Sequence, residues 1–462
     1  MSDQKIRKVT IGAAIGNFVE FFDFAIYGYA ATTIATVFFP ADADRSFSII
    51  ATLGLFGVAF FMRPLGGVVF GRVGDRFGRR TALSIVILMM AAATMGIGLT
   101  PGYARIGIAA PIILLICRLI QGFALGGEKS GASSFVAEHA PDRERGKYLG
   151  YLAAGSTLVP FSVGALVMAA ISSTVSPESF EAWGWRIPFI LGGVLGLVGL
   201  YVRTGLPETD AFKQLRDQRT TDARVDTKSL LMQNKVRMLQ LFMAVAGSAG
   251  VFYLAMAYIP TYLIENVGLD KSTVFWTSAI APIGYTVLAP FAGKLGDRIG
   301  RRAVLFIGAV GTVIFMVPAF LLAGSGLVLL AGLAQLLVLS FCAFSDLGIS
   351  PGQVELFPTK IRYTAASVAF NTATALFGGT AALMSALLID LSGIDALPAI
   401  YFAALALISI PFILAMPETS GRSLTDHSWL ALPDAHPPLF SLTKSPGGTN
   451  AHGSQELVED PS

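Results

Sequence analysis

The chain alternates between long apolar stretches and short clusters of charge. Twelve stretches reach the length, about 20 residues at 1.5 Å per residue, needed to cross roughly 30 Å of hydrocarbon. They fall near 10–38, 49–71, 81–100, 110–138, 147–173, 185–204, 236–264, 272–294, 303–323, 326–353, 363–391 and 397–416. Apolar residues run on continuously within them, which excludes the alternation of a membrane strand, and a backbone in lipid must satisfy its own hydrogen bonds. The pattern predicts an all-α membrane protein with twelve transmembrane helices. The longest internal break, 205–235, is dense in charges of both signs and divides the helices six and six. The expected organisation is an N-terminal half at 1–204, a linker at 205–235 and a C-terminal half at 236–416. Beyond it, 417–462 is rich in Pro, Gly and Ser without helical periodicity, and reads as a disordered tail.

The breaks repeat. GRVGDRFGRR at 71–80 returns as GKLGDRIGRR at 293–302, EHAPDRER at 138–145 is echoed by ELFPTKIR at 355–362, and Pro207-Glu208-Thr209 by Pro417-Glu418-Thr419. Three motifs in one order at nearly one offset indicate a duplicated bundle. Basic residues are unevenly shared among the short connections. Sixteen fall on one side (Lys5, Arg7, Lys8; Arg72, Arg76, Arg79, Arg80; Arg143, Arg145, Lys147; Lys294, Arg298, Arg301, Arg302; Lys360, Arg362) and four on the other (Arg45, Arg105, Arg186, Lys271). By the positive-inside bias the first side is cytoplasmic, and so are both termini. Trp183, Trp185 and Trp276 fall at the opposite helix ends, where amphipathic rings favour the interface. The basic N-terminus precedes an apolar run too long for a signal-peptide core, so that run is expected to be retained as the first helix.

Composition narrows the partners. The chain is 54% hydrophobic and 14% charged, and its net charge of +3 gives no footprint for nucleic acid. Its mean hydropathy is +0.66. Cys117 and Cys342 lie within apolar stretches, where a thiol acts as a small hydrophobe. No residue pattern calls for a metal, a cofactor or an obligatory protein partner, so the expected partners are lipid, a small solute and protons.

The doubled G-x-x-x-D-R-x-G-R-R connection, the six-plus-six arrangement and the PET after each half resemble the major facilitator superfamily. GNFVEFFDFAIYG at 16–28, RPLGGVVFGRVGDRFGRR at 63–80, RLIQGFALGGEKSGA at 118–132 and GWRIPF at 184–189 resemble its metabolite:proton symporter branch. The resemblance covers about residues 10–420. It implies the major facilitator fold, with two pseudo-symmetric halves and alternating access around a central site in the cytoplasmic (inner) membrane. That branch carries osmoprotectants such as proline and betaine as well as organic acids. Its osmosensing members often carry a C-terminal heptad segment, and 420–462 shows no sustained a/d pattern.

The residues also speak for themselves. A charge at a helix centre costs roughly 2.5–3.5 kcal/mol even on the gentlest insertion scale, so each should face a cavity or a partner. At 100° per residue, Asn17, Glu20, Asp23 and Tyr27 share about 120° of arc on the first helix, and Arg118, Gln121, Glu128 and Lys129 about 100° on the fourth. Arg63 on the second helix and Asp346 on the tenth are further candidates. The four histidines lie outside the spans, so proton coupling would fall to carboxylates, with Asp23, Glu20 and Glu128 as candidates. The structural alternative is a permanent ion pair such as Glu128 with Arg118. Arg118, Lys129, Arg63, Gln121, Asn17 and Tyr27 are the candidate solute ligands. Their surplus of cations favours a small organic acid, mono-, di- or polycarboxylate, as the symported solute; the alternatives are a zwitterionic osmolyte and export of an amphipathic compound. In the repeated decapeptide, glycines permit close helix approach and a carboxylate meets unpaired N–H groups. Asp75, Arg76, Arg79 and Arg80 with Asp297, Arg298, Arg301 and Arg302 therefore read as paired cytoplasmic gates. No converging nucleophile, metal cluster or His/Asp set suggests an enzyme, and a two-half carrier differs from a ring-built channel.

Overall fold

The computed structural model describes residues 3–77, 79–127, 133, 136–137, 140–204, 227–358, 361–424 and 439. Among these the chain forms helices and no strands. Ten helices are long and apolar enough to cross a bilayer, and two shorter apolar ones, Ser84–Leu99 and Ala109–Ala124, bring the total to twelve. In chain order they are α1 (Asp3–Phe38), α2 (Arg45–Phe77), α3 (Arg79–Leu99), α4 (Ala109–Ala124), α5 (Arg145–Thr174) and α6 (Pro177–Tyr201). The second half comprises α7 (Lys235–Glu265), α8 (Lys271–Ile299), α9 (Arg301–Ala323), α10 (Val328–Glu355), α11 (Thr364–Ser392) and α12 (Leu397–Leu414).

Packing repeats with a shift of six helices. In the first half α2 packs on α4, α3 on α4 and α6, and α1 on α5; in the second α8 packs on α10, α9 on α10 and α12, and α7 on α11. The halves meet where α5 lies against α8 and where α2 lies against α11. Large apolar side chains such as Leu197, Tyr201, Phe291 and Leu329 are exposed on the outside, a surface suited to lipid.

Local chemistry sets the helix ends. The Asp270 side chain accepts from the Thr273 N–H at 3.2 Å and caps α8. Gly300, at φ 101°, makes the break between α8 and α9 that a residue with a Cβ would resist. Three spans contain wide π-helical turns near their middles: Ala154–Leu158, Leu254–Tyr258 and Thr374–Gly379. Pro160 and Pro260 follow the first two, and a proline lacks the N–H that a regular turn would use.

Three expectations change. The 205–235 linker ends in a short helix, Thr227–Gln233, while 205–226 lie outside the described residues. Residues 417–424 of the expected tail pack against the bundle, with Glu418, Thr419, Ser420 and Leu424 buried, while 425–438 and 440–462 lie outside the described residues. Trp183 and Trp276 are half exposed, but Trp185 is fully buried, its ring against Phe38 and Phe189. The Arg186 guanidinium covers that indole at 4.5 Å and donates to the backbone oxygens of Gly98 and Thr100, so aromatic packing places Trp185 and not the interface.

Candidate functional site

Two buried ion pairs occupy the middle of the first half. Asp23 of α1 accepts from Arg118 Nη1 at 3.1 Å, from Gln121 Nε2 at 2.7 Å and from the Thr94 hydroxyl at 2.7 Å. Arg118 Nη1 also donates to Gln121 Oε1 at 2.6 Å, and Gln121 Nε2 lies 2.9 Å from Thr94 Oγ1, so three helices close one network. The Arg118 guanidinium stacks on the Tyr27 ring at 3.5 Å, and Tyr27 donates its hydroxyl proton to the Thr52 carbonyl at 3.0 Å. Among the described residues Arg118 Nε and Nη2 meet no acceptor. Its planar fork therefore holds donors in reserve, which suits it to exchange partners.

The second pair joins Arg63 Nη2 of α2 to Glu20 Oε1 of α1 at 3.2 Å, beneath the Phe60 ring at 4.4 Å. It borders a cavity between the halves with an empty volume of about 570 Å³. Arg63 and Thr157 line it from the first half, and Ser248, Tyr253, Asp346 and Thr374 from the second. Thr157 and Thr374 sit in π-helical turns and Tyr253 just before one, so the widened turns deliver polar groups to the cavity. The Tyr285 hydroxyl donates to Asp346 Oδ2 at 2.6 Å.

A third cluster closes the basic end of the bundle. Asp297 of α8 accepts from the Gly146 and Lys147 N–H groups at 2.9 Å each, capping α5 across the interface between halves. This needs backbones in contact: a Cβ on Gly146 would lie 2.3 Å from the Gly293 oxygen, and one on Gly293 2.1 Å from the Gly146 oxygen. Arg301 donates to Asp297 at 2.8 Å and to both oxygens of Glu355 at 3.2 Å, and Arg145 reaches Glu355 at 3.5 Å. The segment after α12 completes the cluster. Glu418 accepts from the N–H groups of Arg301 and Arg302 at the start of α9, the Thr419 hydroxyl donates to Glu355, and the Arg422 carbonyl accepts from Arg145.

The helical arrangement, twelve helices in two matched halves, is reproduced in known proteins. The family model described as "Sugar (and other) transporter" matches residues 9–234 and again 215–431. The chain belongs to the major facilitator superfamily. It is a secondary transporter and not an enzyme. It is 39% identical over 434 residues to the proline/betaine transporter of Salmonella typhimurium, covering 92% of this chain and 86% of that one. It is 38% identical over 433 residues to the glycine betaine/proline/ectoine/pipecolic acid transporter of Dickeya dadantii, covering 92% and 86%. Among solved structures it resembles a major facilitator proton:xylose symporter at a TM-score of 0.75 and 19% identity, covering 92% of this chain and 98% of that one.

The structure distributes the candidate residues unevenly. Arg63 lines the cavity, while Arg118, Gln121 and Tyr27, expected to touch the solute, are drawn into the Asp23 network. Asn17 is buried on the face of α1 that carries Glu20. Glu128 and Lys129 lie outside the described residues, and among the described residues Arg118 pairs with Asp23. Asp297, Arg301 and Arg302 belong to the closed end and Arg298 is exposed. The side chains of Asp75, Arg76, Arg79 and Arg80 lie outside the described residues. Sequence reasoning passed over Thr94, an unremarkable polar residue in an apolar span. It also left Arg145, Glu355 and Glu418 out of the gate, although all three stand in the repeated motifs that marked the duplication.

Proposed function

We propose that this chain is a proton-coupled symporter of a zwitterionic osmolyte of the proline or betaine kind, importing it across the cytoplasmic membrane. The observation that carries the choice is the matching of charge. The organic-acid expectation rested on Arg63, Arg118 and Lys129 as surplus cations, but Arg63 sits on Glu20 and Arg118 on Asp23. A cavity with both signs on its walls suits a solute with both signs. The proline, betaine and ectoine carriers among its relatives support the same reading. The sixteen-to-four bias of basic connections supports a cytoplasmic location for the end closed by Asp297 and Glu355, and for both termini.

In this mechanism Asp23 carries the proton. Ionised, it holds Arg118, Gln121 and Thr94 together; protonated, it releases the Arg118 fork, which already has idle donors. The helices α1, α3 and α4 can then shift against one another, and solute and proton cross in one cycle. Glu20 with Arg63 links this network to the solute cavity through α1.

Purified protein in proteoliposomes tests both parts. Labelled betaine and proline should accumulate when an inward proton gradient is imposed, while citrate and 2-oxoglutarate should not; accumulation of the acids alone would overturn the zwitterion reading. Asp23→Asn keeps the size of the side chain and removes the titration. It should prevent accumulation above the external concentration yet preserve exchange of internal for external solute, and gradient-driven accumulation in the variant would remove Asp23 from the proton's path.

A further inference from the structure

The cavity between the halves sets opposite charges on different walls. Arg63, from the first half, is buried almost completely, and its Nε meets no acceptor among the described residues. From the second half comes Asp346, more open to the cavity than Arg63 and oriented by the Tyr285 hydroxyl at 2.6 Å. Tyr253 stands within electrostatic reach of Arg63, Glu20 and Asp346 together, so the two walls belong to one field. The rings of Phe252 and Tyr253, in edge contact at 5.0 Å, line the same space as Phe21 and Phe370.

A carboxylate held by a tyrosine among aromatic rings is a poor neighbour for an anion and a good one for a cation. A quaternary ammonium offers no N–H to donate, so it is recognised by charge and by ring faces. A guanidinium with an idle N–H, on the facing half, suits the carboxylate at the other end of the solute.

We propose that Asp346, positioned by Tyr285 and flanked by Tyr253 and Phe252, is the cation subsite for the solute, and that Arg63 is the facing anion subsite. The assignment rests on the zwitterion reading above. It goes further in giving each charge of the solute to a different half of the protein, so that an occupied site draws the halves together.

The test compares glycine betaine with its carbon isostere 3,3-dimethylbutanoate, which keeps the carboxylate and the shape but replaces the trimethylammonium group by a neutral tert-butyl group. Binding to detergent-purified protein is measured by calorimetry, which needs no proton gradient. The wild type should prefer betaine by about tenfold or more, and Asp346→Asn should lose about tenfold for betaine with little change for the isostere. Tyr285→Phe should show a smaller loss of the same kind, and Asp346→Glu, which keeps the charge, should retain the preference. If Asp346→Asn is not monodisperse, the contrast between Asp346→Glu and Tyr285→Phe decides. Equal loss of both compounds in Asp346→Asn, or an unchanged preference for betaine, overturns the assignment while leaving betaine transport by the wild type standing. A wild type that binds the isostere as well as betaine, or binds neither, overturns the assignment and the zwitterion reading together.

Discussion

The two ends of the bundle are closed by different means. At the basic end, Glu355 is shared by Arg301 and Arg145 with all three side chains no more than 2% exposed, and Asp297 and Glu418 cap helix starts beside it. At the opposite end the halves are joined by Arg45 with Glu265, Lys271 with Glu181, and Ser173 with Ser272 and Trp276. Arg45 is 45% exposed and Glu181 40%, so water competes for both pairs. Exposed pairs contribute ~0.2–1 kcal/mol each, whereas removing one partner of a buried pair costs about 3–5 kcal/mol, because the other charge is left uncompensated. The basic end is therefore the one more sensitive to the loss of a single charged partner.

The largest effect should come from Glu355→Gln, which takes the shared carboxylate from two buried guanidinium groups and leaves Arg301 only Asp297 and Arg145 only Asp142 and the Arg422 carbonyl. We expect the population open at the basic end to rise by two orders of magnitude or so, the equivalent of ~3 kcal/mol. Distances between spin labels on the basic ends of α5 and α8 measure it, and an unchanged distribution would break the comparison. Gly146→Val should act next, since its Cβ would meet the Gly293 oxygen at 2.3 Å and Asp297 Oδ1 at 2.9 Å. Such overpacking costs about 1–3 kcal/mol, and it should widen the same distances to a lesser degree. Arg45→Ala should be smallest, changing the opposite end by ~1 kcal/mol or less, with the difference fading at about 1 M salt where charges are screened within roughly 3 Å. A larger shift from Arg45→Ala than from Glu355→Gln would reverse the ranking of the two latches.

Much of this was legible along the chain, for a reason visible in particular residues. The decapeptide at 293–302 announced a close approach of backbones and a capping carboxylate, and Gly293 and Asp297 provide both, although the partner they meet is Gly146 on α5. The motif ending at Arg362 was recognised only as an echo of the one ending at Arg145. That Glu355 would hold Arg145 and Arg301 at once depends on which helices are neighbours, and no local pattern states that. The polar stripes of the first and fourth helices were found by their period, and Arg118 and Gln121 of the second stripe do meet Asp23 of the first. Their cations read as a surplus, with Glu128 as the alternative partner of Arg118, and it takes the packing of α1, α3 and α4 to show Arg118 on Asp23.

Apolar length is additive along the chain and is judged by lipid one segment at a time, so sequence alone determined the twelve helices, the duplication and the polar faces. Ion pairing depends on distance in space to the inverse first power and on the exclusion of water. The partners here lie 43 residues apart for Glu20 and Arg63, 95 for Asp23 and Arg118, and 210 for Arg145 and Glu355. Only the folded bundle could decide which cation each carboxylate neutralises.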